Sequence, residues 1–285
     1  MTNALKNKLI DNAFKVFGII CTLFGLVILG ILIFNIAEVG LTRIDWNFIT
    51  SLPSRKAEKA GIYTALMGTV WILFLTAIIA FPIGVGAGIY LEEYGKKSKW
   101  ANFLEINISN LAGVPSIIYG LLGLEIFVRA FNMGGSILAG SFTLALLILP
   151  IIIVSTREAL KAVPSSIKDA SVALGASKWQ TIWNQTLPAS IGGVLTGVIL
   201  AISRAIGETA PLIVVGALAY VPFAPSSPMD EFTVMPIQIF NWVSRPQHEF
   251  AVNAAAAIII LLLITFMMNG VAVYYRNKWQ KKIKW

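Results

Sequence analysis

Six apolar runs dominate this chain: residues 14–37, 63–91, 103–128, 137–155, 190–218 and 251–274. Each is close to or beyond the ~20 residues that carry an α-helix across a bilayer. Hydrocarbon offers backbone groups no water, so a spanning segment must satisfy its own hydrogen bonds as a helix or join a closed barrel. The runs lack the apolar/polar alternation of barrel strands and read as helices. Only 13% of residues are charged and 57% are hydrophobic, whereas soluble domains carry about a quarter charged residues. An ordinary soluble fold is excluded. The expectation is an all-α polytopic membrane protein with six transmembrane helices.

Six crossings put both termini on one side. Under that topology, fifteen Lys and Arg fall in the segments on the termini side and six in the opposite loops, with Arg204 inside a run. The positive-inside rule then places both termini in the cytoplasm. The net charge of +8 follows from this bias, and no dense basic patch calls for nucleic acid. Trp46, Trp100, Trp242 and Trp279 flank the runs, as interfacial aromatics do. The first run follows Lys6 and Lys8; it is too long for a signal peptide and reads as a retained anchor. The tail RNKWQKKIKW, with Trp279 and Trp285, is expected on the anionic inner leaflet. Cys21, the only cysteine, can form no intrachain disulfide. The expected division is 1–62 (anchor and first outer loop), 63–275 (membrane core) and 276–285 (basic tail).

Between the fourth and fifth runs lies PSSIKDASVALGASKWQTIWNQTLP, residues 164–188. Ser166 with Asp169 has capping-box spacing, as does Ser177 with Gln180. Gly175 is placed to end the first helix in the left-handed conformation, and Pro188 to end the second. The result is helix–glycine turn–helix at the cytoplasmic face. Its two lysines are too few for a DNA reader. An amphipathic re-entry segment is one reading. The other is a docking element: Ala170, Ser171 and Ala173 allow close approach, while Val172 and Leu174 supply apolar anchors.

In the fifth run, Gly193, Gly197, Ala201, Arg204, Glu208 and Pro211 recur at steps of three and four, which stack on one helical face. Gly193 and Gly197 permit close helix approach. Counted from Ser190 at 1.5 Å per residue, Arg204 lies about 21 Å into the helix. A basic side chain near the bilayer centre costs about 2.5–3.5 kcal/mol on insertion scales and usually marks a path or site. Glu208 is one turn away and able to pair. Pro211 leaves the Gly207 carbonyl free, so a kink is expected. A purely structural ion pair is the alternative. Arginine suits phosphate or carboxylate through paired hydrogen bonds, so an anion path is the sharper reading.

Other features carry less. Pro115 breaks the third run and Ser116 follows it, giving either a kink or a path-facing hydroxyl. Glu125 and Arg129 suit a surface ion pair. Gly84, Gly86 and Gly88 suit helix packing. GKKS at residues 95–98 lacks the GxxxxGK[ST] pattern, so no ATP site is expected here. A single histidine, His248, excludes His-based zinc chemistry.

Two sets of motifs carry a resemblance. Asp169-Ala170-Ser171, three residues, Gly175, nine residues and Gln185-Thr186-Leu187-Pro188 resemble the EAA loop of ABC importer permeases, with Asp for Glu, Ser for the second Ala and Gln for Ile. ISRAIGETAPL (202–212), PIGVGAGIYLEEYG (82–95) and LAGVPSIIYGLLG (111–123) resemble the phosphate permeases of the PstA type. The resemblance implies the type I importer permease fold in a bacterial inner membrane. It implies that Asp169, Ala170, Ser171, Leu174 and Gly175 couple to an ATPase. Arg204 and Glu208, with Ser203, Thr209 and Ser116, would line a phosphate path, and Gly193, Gly197, Pro115 and Pro211 would shape it. The implied partners are a PstC-type permease, a PstB-type ATPase dimer that uses the ATP, and a PstS-type phosphate-binding protein. Another oxyanion, such as sulfate or molybdate, is the first alternative, and a gradient-driven transporter the second. An enzyme is disfavoured because no nucleophile–base set is present.

Overall fold

The computed structural model describes residues 3–95, 98–217 and 220–280. In chain order its α-helices are α1 (Asn3–Gly40), α2 (Trp46–Thr50), α3 (Tyr63–Ile89), α4 (Lys99–Leu111), α5 (Ser116–Gly123), α6 (Ile137–Lys161), α7 (Ser165–Ala173), α8 (Lys178–Thr181), α9 (Leu187–Ala205), α10 (Ala210–Val215), α11 (Met235–Val243) and α12 (His248–Gln280). Among the described residues the only β-type contact is an isolated bridge between Ser136 and Glu231.

The centre is α6. Two-thirds (67%) of its apolar window is buried, against none of the window in α1, so α6 is the hub and α1 a peripheral helix facing lipid. Missing side chains let two helices close on it. A Cβ on Gly84 would sit 2.6 Å from Ile152, and one on Gly88 2.7 Å from Thr156. From α9, Gly193 meets Ala159 at 2.7 Å and Gly197 lies tighter still against Ser155. Gly86 differs from the packing role expected of it: an added Cβ there meets nothing within 4 Å. Ile148, Ile152, Val194 and Ala201 fill the resulting core. Buried hydroxyls are answered locally, as where Ser141 Oγ donates to the Ile137 carbonyl at 2.8 Å.

A second core seals the opposite end. Phe48 of α2 packs on Trp242 of α11 with centroids 5.9 Å apart, joined by Phe250 and Ala254 of α12. Arg43 ties it together: its guanidinium bonds Asn253 Oδ1 at 3.1 Å and the Glu58 carbonyl at 2.8 Å, and lies 5.0 Å above the Phe48 ring. Helix α11 lies within the stretch 220–249, which the sequence presents only as a proline-rich loop.

The break expected at Pro115 is present and two other expectations are corrected. In the third run α4 and α5 meet at 108°, because residues 112–115 end on a proline that cannot extend α4. The pair still crosses. Helices α3 and α6 run parallel, with Ser141 Oγ 3.4 Å from the Ile72 carbonyl near one end and Gly88 against Thr156 near the other. The chain must therefore cross between them. The fifth run is also divided: α9 ends at Ala205 and α10 begins at Ala210, so the stripe from Gly193 to Pro211 is not one helical face. Finally, Pro188 does not end a helix. Residues Ile182–Thr186 form a wide turn in which Leu187 N donates to the Ile182 carbonyl. That turn carries α8 past the proline into α9, where Pro188 takes an early position needing no N–H. In the tail, residues 281–285, including Trp285, and the Trp279 side chain lie outside the described residues.

The packing yields a contrast. Gly197→Val, which drives a side chain into Ser155, should destabilise by about 1–3 kcal/mol, whereas Gly86→Ala should stay within about 0.5 kcal/mol. Thermal unfolding of the detergent-solubilised protein separates the two.

Candidate functional site

The break between α9 and α10 builds the first candidate site. Pro211 has no N–H to give the Gly207 carbonyl, and its ring opposes that carbonyl in a helix. The chain instead tightens into a turn: Gly207 N donates to the Arg204 carbonyl at 3.3 Å and Glu208 N to the Ala205 carbonyl at 3.2 Å. The Gly207 carbonyl receives only a long bond, 3.4 Å, from the Thr209 hydroxyl. The turn returns Glu208 to the end of α9, where its carboxylate accepts from Arg204 Nε at 3.3 Å. Glu208 is largely covered, with its side chain 15% exposed, while that of Arg204 is 44% exposed. Among the described residues only Nε finds a partner, and the two terminal guanidinium nitrogens have none.

Neighbouring elements fix this break. Gly120 of α5 approaches Pro211 so closely that a Cβ would lie 2.7 Å from its Cα. Tyr119, beside it, is within electrostatic reach of Arg204, and its hydroxyl donates to the Leu111 carbonyl at 2.8 Å, bracing the α4–α5 elbow. Ser203 turns from Arg204 and donates to Asn269 of α12. Ser116 opens α5, half-buried and one turn from Tyr119. The structure thus joins Arg204 and Glu208 directly, brings Tyr119 near them, and sends Ser203 to a helix contact. Asn269 and Tyr119 are additions to the expected set. A lone Asn inside an apolar run signals an interhelical bond; nothing local in the sequence marks Tyr119.

The second candidate site is the segment between α6 and α9. Helix α7 begins at Ser165 after Pro164 with no side-chain cap, so the box expected of Ser166 and Asp169 is absent: the proline already sets the entry and Asp169 points outward. The other box forms, with Ser177 and Gln180 bonded reciprocally. Gly175 takes φ +86°, the left-handed region that favours glycine. Ser171 and Thr181 hydroxyls lie 3.0 Å apart and hold α7 against α8. Between the helices is a recess of about 410 Å³ lined by Ile167, Ala170, Ser171, Leu174, Gln180 and Asn184 among others. Leu174, in the lining of this recess, is 90% exposed, and Val172, outside the lining, is 55% exposed.

On the opposite side, Asp230 organises the loop before α11. Its carboxylate accepts from Ser226 N at 2.8 Å and Ser227 N at 2.9 Å, and these two backbone donors hold its pKa below the usual value.

The geometry has counterparts among known proteins. The family described as binding-protein-dependent transport system inner membrane component matches residues 80–280. The phosphate transport system permease protein PstA of Haemophilus influenzae is 37% identical over 194 residues, 68% of each chain. The probable ABC transporter permease protein YqgI of Bacillus subtilis is 30% identical over 277 residues, 92% of this chain and 94% of that one. Among solved structures, the bacterial alginate ABC transporter bound to its alginate-loaded periplasmic protein aligns over 97% of this chain and 98% of its own, with TM-score 0.70 at 12% identity. The inward-facing methionine transporter MetNI aligns over 75% and 94%, with TM-score 0.64 at 14% identity. Together with the helical architecture and the segment poised between α6 and α9, the match over residues 80–280 identifies the chain as a member of the binding-protein-dependent transport system inner membrane component family, a multi-pass permease of the ABC importer type.

Proposed function

We propose that this chain is one of two permease subunits of an ATP-driven phosphate importer in a bacterial inner membrane, with both termini cytoplasmic. The observation that carries the reading is the Arg204–Glu208 pair at the α9–α10 break, where the guanidinium keeps its terminal nitrogens unengaged. Two parallel N–H groups match the oxygens of a tetrahedral anion. Similarity to PstA phosphate permeases supports phosphate over another oxyanion, as does the acid beside the arginine. Glu208 neutralises Arg204 while the path is empty. When anion arrives, Glu208 accepts a hydrogen bond from a protonated phosphate oxygen, which sulfate at neutral pH does not offer.

One broken helix cannot enclose a pore, so a homologous PstC-type permease supplies the other half. ATP is used by a PstB-type ATPase dimer seated on residues 164–188, with Leu174 and Val172 as apolar anchors, and a PstS-type binding protein delivers phosphate from the other face. Closure of the ATPase dimer shifts this segment and alternates access at the break.

Reconstituted with its partners, Arg204→Gln should leave assembly and ATPase binding intact. Loss of charged hydrogen bonds worth about 1.5–3 kcal/mol should lower phosphate uptake by roughly 10- to 150-fold; uptake at the wild-type rate would refute the path. Leu174→Glu, at the exposed anchor, should instead release the ATPase from the purified complex, seen as loss of co-elution on size exclusion.

A further inference from the structure

The C-terminal turn of α3 reads as a short charged loop in sequence, yet it joins four elements. Residues Tyr90–Tyr94 form a wide turn, with Gly95 N donating to the Tyr90 carbonyl at 2.9 Å, and adjacent acids face different neighbours. Glu93 accepts from Lys168 of α7 at 2.5 Å. The Glu93 carbonyl accepts from Lys178 of α8, whose ammonium also lies 4.6 Å from the Tyr94 ring. Glu92, buried, turns to α6, where Arg157 lies 3.7 Å from its carboxylate; the other terminal nitrogen of Arg157 reaches Glu105 of α4 at 2.5 Å. One turn therefore holds both helices of the coupling segment through Glu93 and α6 through Glu92, and Arg157 carries the link on to α4.

Burial gives these links weight. The Lys168 and Glu93 side chains are 18% and 9% exposed, those of Arg157 and Glu92 17% and 3%. Breaking a buried pair by deleting one partner leaves an uncompensated charge. The Arg157–Glu105 contact is more open, since Glu105 is 41% exposed and partly screened. Helix α4 ends at Leu111, whose carbonyl holds the Tyr119 hydroxyl, and Gly120 rests on Pro211.

We propose that Glu93 and Arg157 are positioning residues that clamp the coupling segment, the end of α3 and α4 into one rigid body. Movement imposed on residues 164–188 then reaches the α4–α5 elbow and the break beside Glu208, rather than dissipating in the loops. This rests on the reading that an ATPase drives the segment.

The test uses the reconstituted permease–ATPase complex in two measurements. In the first, phosphate imported per ATP hydrolysed should fall at least tenfold in Glu93→Gln and in Lys168→Gln, with ATPase binding retained, and the double variant should be no worse than either single one, as for residues acting as a unit. An unchanged ratio, or uptake and hydrolysis falling together through lost assembly, overturns the clamp. In the second, spin labels are placed at Ser165→Cys and Trp100→Cys in a Cys21→Ser background. Their distance should stay constant between nucleotide-free and ATP-bound states and broaden on adding Glu93→Gln. A distance that changes with ATP while Glu93 is intact overturns the clamp. A wild-type complex that hydrolyses ATP without importing phosphate refutes the phosphate reading instead, and the label distance still decides the clamp.

Discussion

Gly84 and Gly88 from α3, and Gly193 and Gly197 from α9, meet α6 at positions where a single added carbon would collide. In a membrane, lipid tails are as apolar as leucine, so helices gain little from hiding apolar surface and must gain from close contact. The three-helix centre is therefore bought with missing side chains. Both candidate sites hang from it: the break carrying Arg204 lies at one end of α9, and residues 164–188 join the other end to α6. A shift of α9 against α6 would part these glycines from their partners, so the two sites are connected by a helix that is hard to bend and hard to slide.

The irregular backbone is placed where that rigid centre allows it. Unpaired backbone groups are costly at membrane depth and are tolerated where protein or a cavity receives them. The α4–α5 elbow is braced by Tyr119 onto Leu111, and the α9–α10 break by Gly120 against Pro211, so the two breaks support each other. The wide turn at Tyr90–Tyr94 packs against residues 164–188, the one at Ile182–Thr186 lies within them, and each admits an extra residue. At the first, that extra residue aims Glu92 and Glu93 at different neighbours. At the second, it lets a helix pass Pro188 without ending.

Local rules made part of this visible in advance. Spans follow from run length, the left-handed Gly175 and the Ser177 box from turn chemistry, and the charged pair from its place in an apolar run. What escaped depends on contacts distant in sequence. Arg157 reads as the first residue of the polar stretch after the fourth run until Glu92 and Glu105 surround it. Glu93 reads as loop charge until Lys168, 75 positions away, closes on it. Helix α11 hides in a proline-rich stretch because its stability comes from Phe48 and α12, not from its own pattern. The stripe on the fifth run failed for a different reason: the periodicity was real, but Pro211 and Gly207 interrupted the helix that would have expressed it.

That interruption changes what the charged pair can do. On a continuous helix, Glu208 would stack one turn beyond Arg204 and compete for the whole guanidinium. In the observed turn it reaches only Nε and stays covered while the arginine opens outward. The acid then steers the guanidinium plane and offsets part of its charge without occupying its two outer donors. A cation so arranged attracts an anion yet does not hold it as an unopposed arginine would, since the carboxylate takes back the charge as the anion leaves. In the proposed path, binding must be weak enough to reverse, and the broken helix supplies that compromise where an unbroken one would not.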